Sequence, residues 1–143
     1  MSSQPYPPQS ICTKFNEIQW HDSQLIAFQL IPKGEESYDV HFDLRLLTNS
    51  QPGQYSWKIA KLEIQDCRIF QLAIDTLGIR LTGGDIASAF CEGGPALTEQ
   101  LESRPFDLPQ GENPFQDILH FRVLLIHPGG EINIFAKNFV LIH

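Results

Sequence analysis

The chain is poor in charge, and poorest in positive charge. Only 19% of its 143 residues are charged, and 17 Asp and Glu outnumber 10 Lys and Arg, leaving a formal net charge of −7. No cluster of Lys and Arg is present, so the sequence predicts no nucleic-acid partner, because phosphate backbones are held mainly by cationic side chains. The same sign disfavours anionic membrane surfaces. No apolar run approaches the ~20 residues that span a bilayer as a helix. The opening MSSQPYPPQS has neither a basic start nor an apolar stretch, so it predicts no secretory leader, and the expected location is the cytoplasm. Cysteine is scarce too. Cys12, Cys67 and Cys91 are an odd number at wide spacing with no C-x-x-C pair, which predicts buried or free thiols in a reducing compartment.

Motifs that announce chemistry are missing as well. There is no G-x-S-x-G elbow to expose a serine nucleophile. The paired glycines of TGGD and CEGGP match neither a phosphate-binding P-loop nor a dinucleotide fingerprint, and they read as turns. None of the five histidines, His21, His41, His120, His127 and His143, forms an H-x-x-x-H or H-E-x-x-H pair. No cofactor is predicted.

What the sequence does contain is apolar alternation. Apolar residues make up 42% of the chain, ten of them Phe, close to the globular average. A chain of this length buries roughly two-thirds of the surface it exposes when unfolded, enough for one core without disulfides or metals. Residues 1–10, with three prolines among small polar residues, read as a disordered or loosely docked tail, and 11–143 as a single β-rich domain. SQLIAFQLI (23–31) has the size and bounds of a strand. In YDVHFDLRLL, Val40, Phe42, Leu44 and Leu46 alternate with Asp39, His41, Asp43 and Arg45, the period-two pattern of a half-buried strand. With KGEES between them, the two runs predict an antiparallel hairpin.

Further on, NSQPGQ reads as a loop. In WKIAKLEIQDCRIFQLAID, Ala60, Leu62 and Ile64 point one way and Lys61 and Glu63 the other. Phe70, Leu72 and Ile74 share a second face, and a bulge or bend falls near Gln65-Asp66-Cys67. GIRL (78–81) reads as a short strand. DIASAFCEGG fits either a strand or one helical turn. ALTEQLES (96–103) is the best helix candidate, with Leu97 and Leu101 at i and i+4. Pro105, Pro109 and Pro114 mark a surface loop, and PGG (128–130) supplies hairpin turn chemistry. The apolar end KNFVLIH predicts a last strand inside the sheet. The expected fold is mainly β: seven to nine short antiparallel strands forming a bent sheet or a sandwich, with at most one or two short helices.

The run Trp20-His21-Asp22-Ser23 carries the residue types of a hydrolytic site. Neighbours on an extended chain point to opposite sides, however, so they seldom meet as a triad. The preferred reading is a structural corner in which Asp22 or Ser23 caps a turn and Trp20 packs on the sheet edge. Against it stands a metal site, with His41 and Asp43 on one strand face and His21 or Asp22 as a third ligand.

The stretch WHDSQLIAFQL, with YDVHFDLRLL and WKIAKLEIQDCRIF after it, resembles small uncharacterised bacterial β domains in which a WHDS-like corner leads the first strand, including some toxin-immunity domains. The resemblance covers about residues 15–75. It implies a small antiparallel β fold that binds another protein, and no catalytic residues. The sequence therefore leans away from an enzyme, towards a non-catalytic protein-binding or self-associating module. An immunity-like version would cover a basic toxin with Glu35, Glu36, Asp39 and Asp43. The alternatives are a small metal-dependent hydrolase built on His21, Asp22, His41 and Asp43, or a small-molecule binder with its pocket between the sheet and residues 84–114.

Overall fold

The computed structural model describes residues 8–34, 37–49, 51–74, 84–94, 97, 99, 117–127 and 129–143. One helix, α1 (Pro8–Asn16), precedes eight strands: β1 (Gln24–Pro32), β2 (Tyr38–Asn49), β3 (Ser56–Cys67), β4 (Ile69–Ile74), β5 (Gly84–Gly93), β6 (Leu119–His127), β7 (Gly130–Ala136) and β8 (Asn138–Ile142). They form one antiparallel sheet in the order β4-β7-β6-β5-β1-β2-β3-β8. The protein is mainly β, as the alternation predicts.

The strand order and the chain order together require a bend. A single residue, Arg68, separates β3 from β4, yet these strands stand near opposite ends of the order. Lys137 alone separates β7 from β8, which are similarly far apart. Both conditions hold only if the sheet curls until its two ends meet at a corner. There β3–β4 and β7–β8 run as one bent two-stranded ribbon, pairing Gln65 with Asn138 before the corner and Ile69 with Phe135 after it. Backbone bonds from Arg68 N to Phe135 O (2.8 Å) and from Lys137 N to Gln65 O (3.1 Å) carry the ladder through it. Asp66 has φ 58°, an αL conformation that Asp tolerates better than most residues. Sharp corners of this kind let one sheet cover both sides of a core. The predicted break at 65–67 is this corner.

Alternation then decides what faces inward. Val40, Phe42, Leu44 and Leu46 of β2 and Ala60, Leu62 and Ile64 of β3 are all buried. They pack in one cluster with Phe121 and Val123 of β6 and Ile132 and Ile134 of β7. Segment 84–93, ambiguous in sequence, is a strand. It is paired along its length with β6, which satisfies its backbone groups better than an isolated helical turn would. In the loop after β2, Asn49 Oδ1 accepts Gln51 N at 3.0 Å, and Gly53 takes φ 79° just after Pro52.

Three expectations need correction. The predicted tail of residues 1–10 overlaps a helix that starts at Pro8, a residue suited to a first helical turn. Ile11 and Phe15, at i and i+4, are 2% and 0% exposed. The nine-residue helix is too short to persist alone, so tertiary packing holds it. Phe15 is the hub, with ring centroids 4.8 Å from Trp20, 5.0 Å from Phe121 and 5.2 Å from Phe139. Second, β8 is not inside the sheet but at its end. Its apolar character divides between Phe139 and Leu141, packed on the core, and Val140 and Ile142, exposed. Third, Trp20 lies in the core rather than on a sheet edge. On β4, Phe70 packs on the core and Leu72, two residues on, is 46% exposed. Of the helix candidate at 96–103, only Leu97 and Glu99 are described, both helical. The GIRL strand and the proline-rich loop at 105–114 lie outside the described residues.

Candidate functional site

The Trp20–Ser23 corner stands where the two halves of the sheet join. Among the described residues, β1 and β5 pair at Gln24 with Asp85 and at Leu25 with Gly84. The corner extends this ladder, with Asp22 N donating to Ile86 O (3.1 Å) and Ile86 N to Ser23 O (2.8 Å). Ser23 is fully buried. Its Oγ donates to Gln19 O at 2.8 Å and accepts from Leu47 N at 3.0 Å. That N–H lies just beyond the last β1–β2 pairing, so the hydroxyl takes over where the neighbouring strand stops. With its proton committed and no exposure, Ser23 is not placed to attack a substrate. Trp20 Nε1 donates to Phe15 O at 2.9 Å, which ties the corner to α1. Asp22, at φ 67°, reverses the chain.

His21 and Asp22 are exposed. His21 Nδ1 lies 3.0 Å from Ala87 O, and since a carbonyl only accepts, Nδ1 carries the proton. Nε2 stands 3.6 Å from Asp22 Oδ2, too far for a hydrogen bond. Four further groups latch the outer face here. Asp85 accepts from Gln24 Nε2 (3.2 Å), Gln24 accepts from Arg45 Nη1 (3.1 Å), Arg45 lies 5.4 Å over the Trp57 ring, and Trp57 Nε1 donates to Asp22 O (3.3 Å). This chain of contacts spans β5, β1, β2 and β3.

His41 and Asp43 do share one face of β2, as their spacing predicts, but they do not meet the corner. Gln24 pairs with Arg45, whereas His41 pairs with Gln29. From Arg45 to His41 is roughly 13 Å of strand at about 3.3 Å per residue. His41 instead faces Glu63, with Nε2 3.9 Å from the carboxylate, and Asp43 is exposed opposite Lys61. Among the described residues, no three His, Cys, Asp or Glu side chains stand close enough to hold a metal ion. The alternative in which His21, Asp22, His41 and Asp43 converge is not what the register gives. The acidic set fares similarly. Asp39 is buried and accepts Asp66 N at 3.1 Å, bracing the β3–β4 corner, while Glu35 and Glu36 lie outside the described residues.

A polar network on β5, β6 and β7 escaped sequence reading. His120 stacks on Phe135 at 4.4 Å, with Nε2 2.6 Å from Asn133 Oδ1 and Nδ1 3.5 Å from Glu92. Asn133 Nδ2 donates to Glu131, which also accepts from Arg122, and that hydrogen bond holds the Glu131 carboxyl below the usual carboxylate range. These contacts link side chains of β5, β6 and β7, so the network fastens three strands.

The outer face near the end of the sheet also exposes apolar side chains. On the outer face of β3, Trp57 and Ile59 are 39% and 69% exposed, and Tyr55, stacked 6.2 Å from Trp57, is 53% exposed. Beside them on β8, Val140 and Ile142 are 38% and 48% exposed, opposite Glu63 and Lys61. The signal was present: extending the Lys61–Glu63 side of β3 backwards by twos reaches Ile59 and Trp57.

The fold and this surface define a mainly β domain with a strip of exposed aromatic and branched side chains at one end of the sheet. The chain matches no protein-family model, no curated protein and no solved structure. Among the described residues, no helix is long and apolar enough to cross a membrane.

Proposed function

We propose that the protein is a non-catalytic, self-associating module, and that the strip of Tyr55, Trp57, Ile59, Val140 and Ile142 is its interface. The carrying observation is the contiguity of that strip on one sheet face. Large apolar side chains gathered on one face mark association surfaces more often than scattered ones do, and Tyr and Trp are favoured at their centres. A second copy is the occupant chosen because the strip is self-complementary in charge. Lys61 and Glu63 stand two apart on β3, so a two-fold axis crossing that strand sets each Lys61 against the other copy's Glu63. Elsewhere the net charge of −7 makes copies repel, which confines contact to this patch.

Sedimentation velocity across a concentration series tests the proposal. A dimer for the unaltered chain, and a monomer with unchanged far-UV circular dichroism for Ile59→Lys and for Ile142→Lys, is expected. A monomer at every concentration overturns it, as does a dimer that survives both substitutions.

A further inference from the structure

Three cysteines are free, and two of them touch. Cys12 on α1 and Cys91 on β5 are 79 residues apart in sequence, yet their Sγ atoms are 2.7 Å apart. The approach is held by more than the sulfurs. Asn16, one helical turn beyond Cys12, clamps the backbone of Cys91 from both sides, donating Nδ2 to its carbonyl (3.0 Å) and accepting its N–H at Oδ1 (2.7 Å). Ile11 and Phe15 seat the same helix in the core. The two sulfurs therefore meet at a fixed junction between rigid elements.

We infer that Cys12 and Cys91 form a dithiol–disulfide couple that exchanges with low-molecular-weight disulfides, oxidation bonding helix α1 covalently to strand β5. The two thiols differ in the way such a couple requires. Cys12 is half-buried and reachable, whereas Cys91 is buried. The hydrogen bond shared with the Cys91 thiol holds Cys12 below its ordinary range, against opposing effects of burial and Glu92. That shared bond and burial push Cys91 upward. Cys12, the reachable sulfur, is thus the nucleophile, since the thiolate is the attacking form.

The steps balance as follows. The Cys12 thiolate attacks one sulfur of a small disulfide such as oxidised glutathione, forming a mixed disulfide and releasing one small thiolate. Cys91 then loses its proton and attacks the Cys12 sulfur, releasing the second. The protein dithiol is oxidised by two electrons and the small disulfide is reduced to two thiols. Cys67 provides an internal control. It is buried in the β3–β4 corner, donates to Ile69 O at 3.3 Å, and burial pushes its thiol up to about 11, so it stays out of the exchange.

The test is incubation of the full chain with oxidised glutathione, followed by thiol titration in denaturant and peptide mapping by mass spectrometry. Titratable thiols should fall from three to one, with the Cys12 and Cys91 peptides cross-linked and no glutathione retained. Dithiothreitol should restore all three. Cys91→Ser should stop at a glutathione adduct on Cys12, and Cys67→Ser should behave as the unaltered chain. The inference is overturned if the unaltered chain keeps three thiols, retains glutathione on Cys12, or cross-links Cys67.

Discussion

Replacing Ser23 with alanine separates a scaffold serine from a catalytic one. The hydroxyl makes two hydrogen bonds in a fully buried site. Removing it strands the Leu47 N–H, and an unsatisfied buried donor costs about 1–3 kcal/mol. The bond to Gln19 O is lost as well, but Gln19 is exposed, so water replaces most of that contribution. The sum is a loss of about 1–3 kcal/mol, a sizeable share of the roughly 5–15 kcal/mol that holds a typical domain. For a chain of this size, that lowers the thermal midpoint by about 3–12 °C. Urea unfolding followed by circular dichroism should show a lower midpoint at unchanged slope, which marks a stability change rather than a change in the unfolded state. A nucleophile behaves otherwise. Its removal abolishes an activity and leaves stability unchanged or improved, because active sites hold groups in destabilising positions. A midpoint for Ser23→Ala within about 0.5 kcal/mol of the unaltered protein, the ordinary scatter of a surface substitution, refutes the scaffold argument.

Two further predictions concern packing and pH. A Cβ added at Gly93 would sit 2.6 Å from Leu119 Cδ2 and 3.4 Å from Ile118 O, and Leu119 is fully buried. Gly93→Ala should therefore cost about 1–3 kcal/mol in urea unfolding, the range for an overpacked core, and a neutral result would show that β5 and β6 are not so closely joined. Glu131 has its folded pKa lowered by Arg122 and then by Asn133. A depressed carboxylate adds stability that is present above the unfolded value, near 4.5, and is lost as pH falls through the lower folded value. The stability gap between the unaltered protein and Glu131→Gln should be widest near neutrality and close progressively below about pH 4.5, and a gap independent of pH would contradict the pairing with Arg122.

Local alternation determined most of the strands and which way they face. Val40, Phe42, Leu44 and Leu46, and then Ala60, Leu62 and Ile64, declare their core face by period two alone, because each strand buries one side whatever lies beside it. The 65–67 break was legible for a similar reason: polar residues interrupt an apolar run. Only the tertiary structure decided the rest. Helix α1 is too short to announce itself and exists because Phe15 finds Trp20, Phe121 and Phe139, contributed by distant segments. The same dependence on strand order keeps His41 away from His21, sends β8 to the end of the sheet, and brings Cys12 to Cys91 across 79 residues. Side-chain periodicity is a property of a few neighbouring residues, whereas register and order depend on every pairing in the sheet at once.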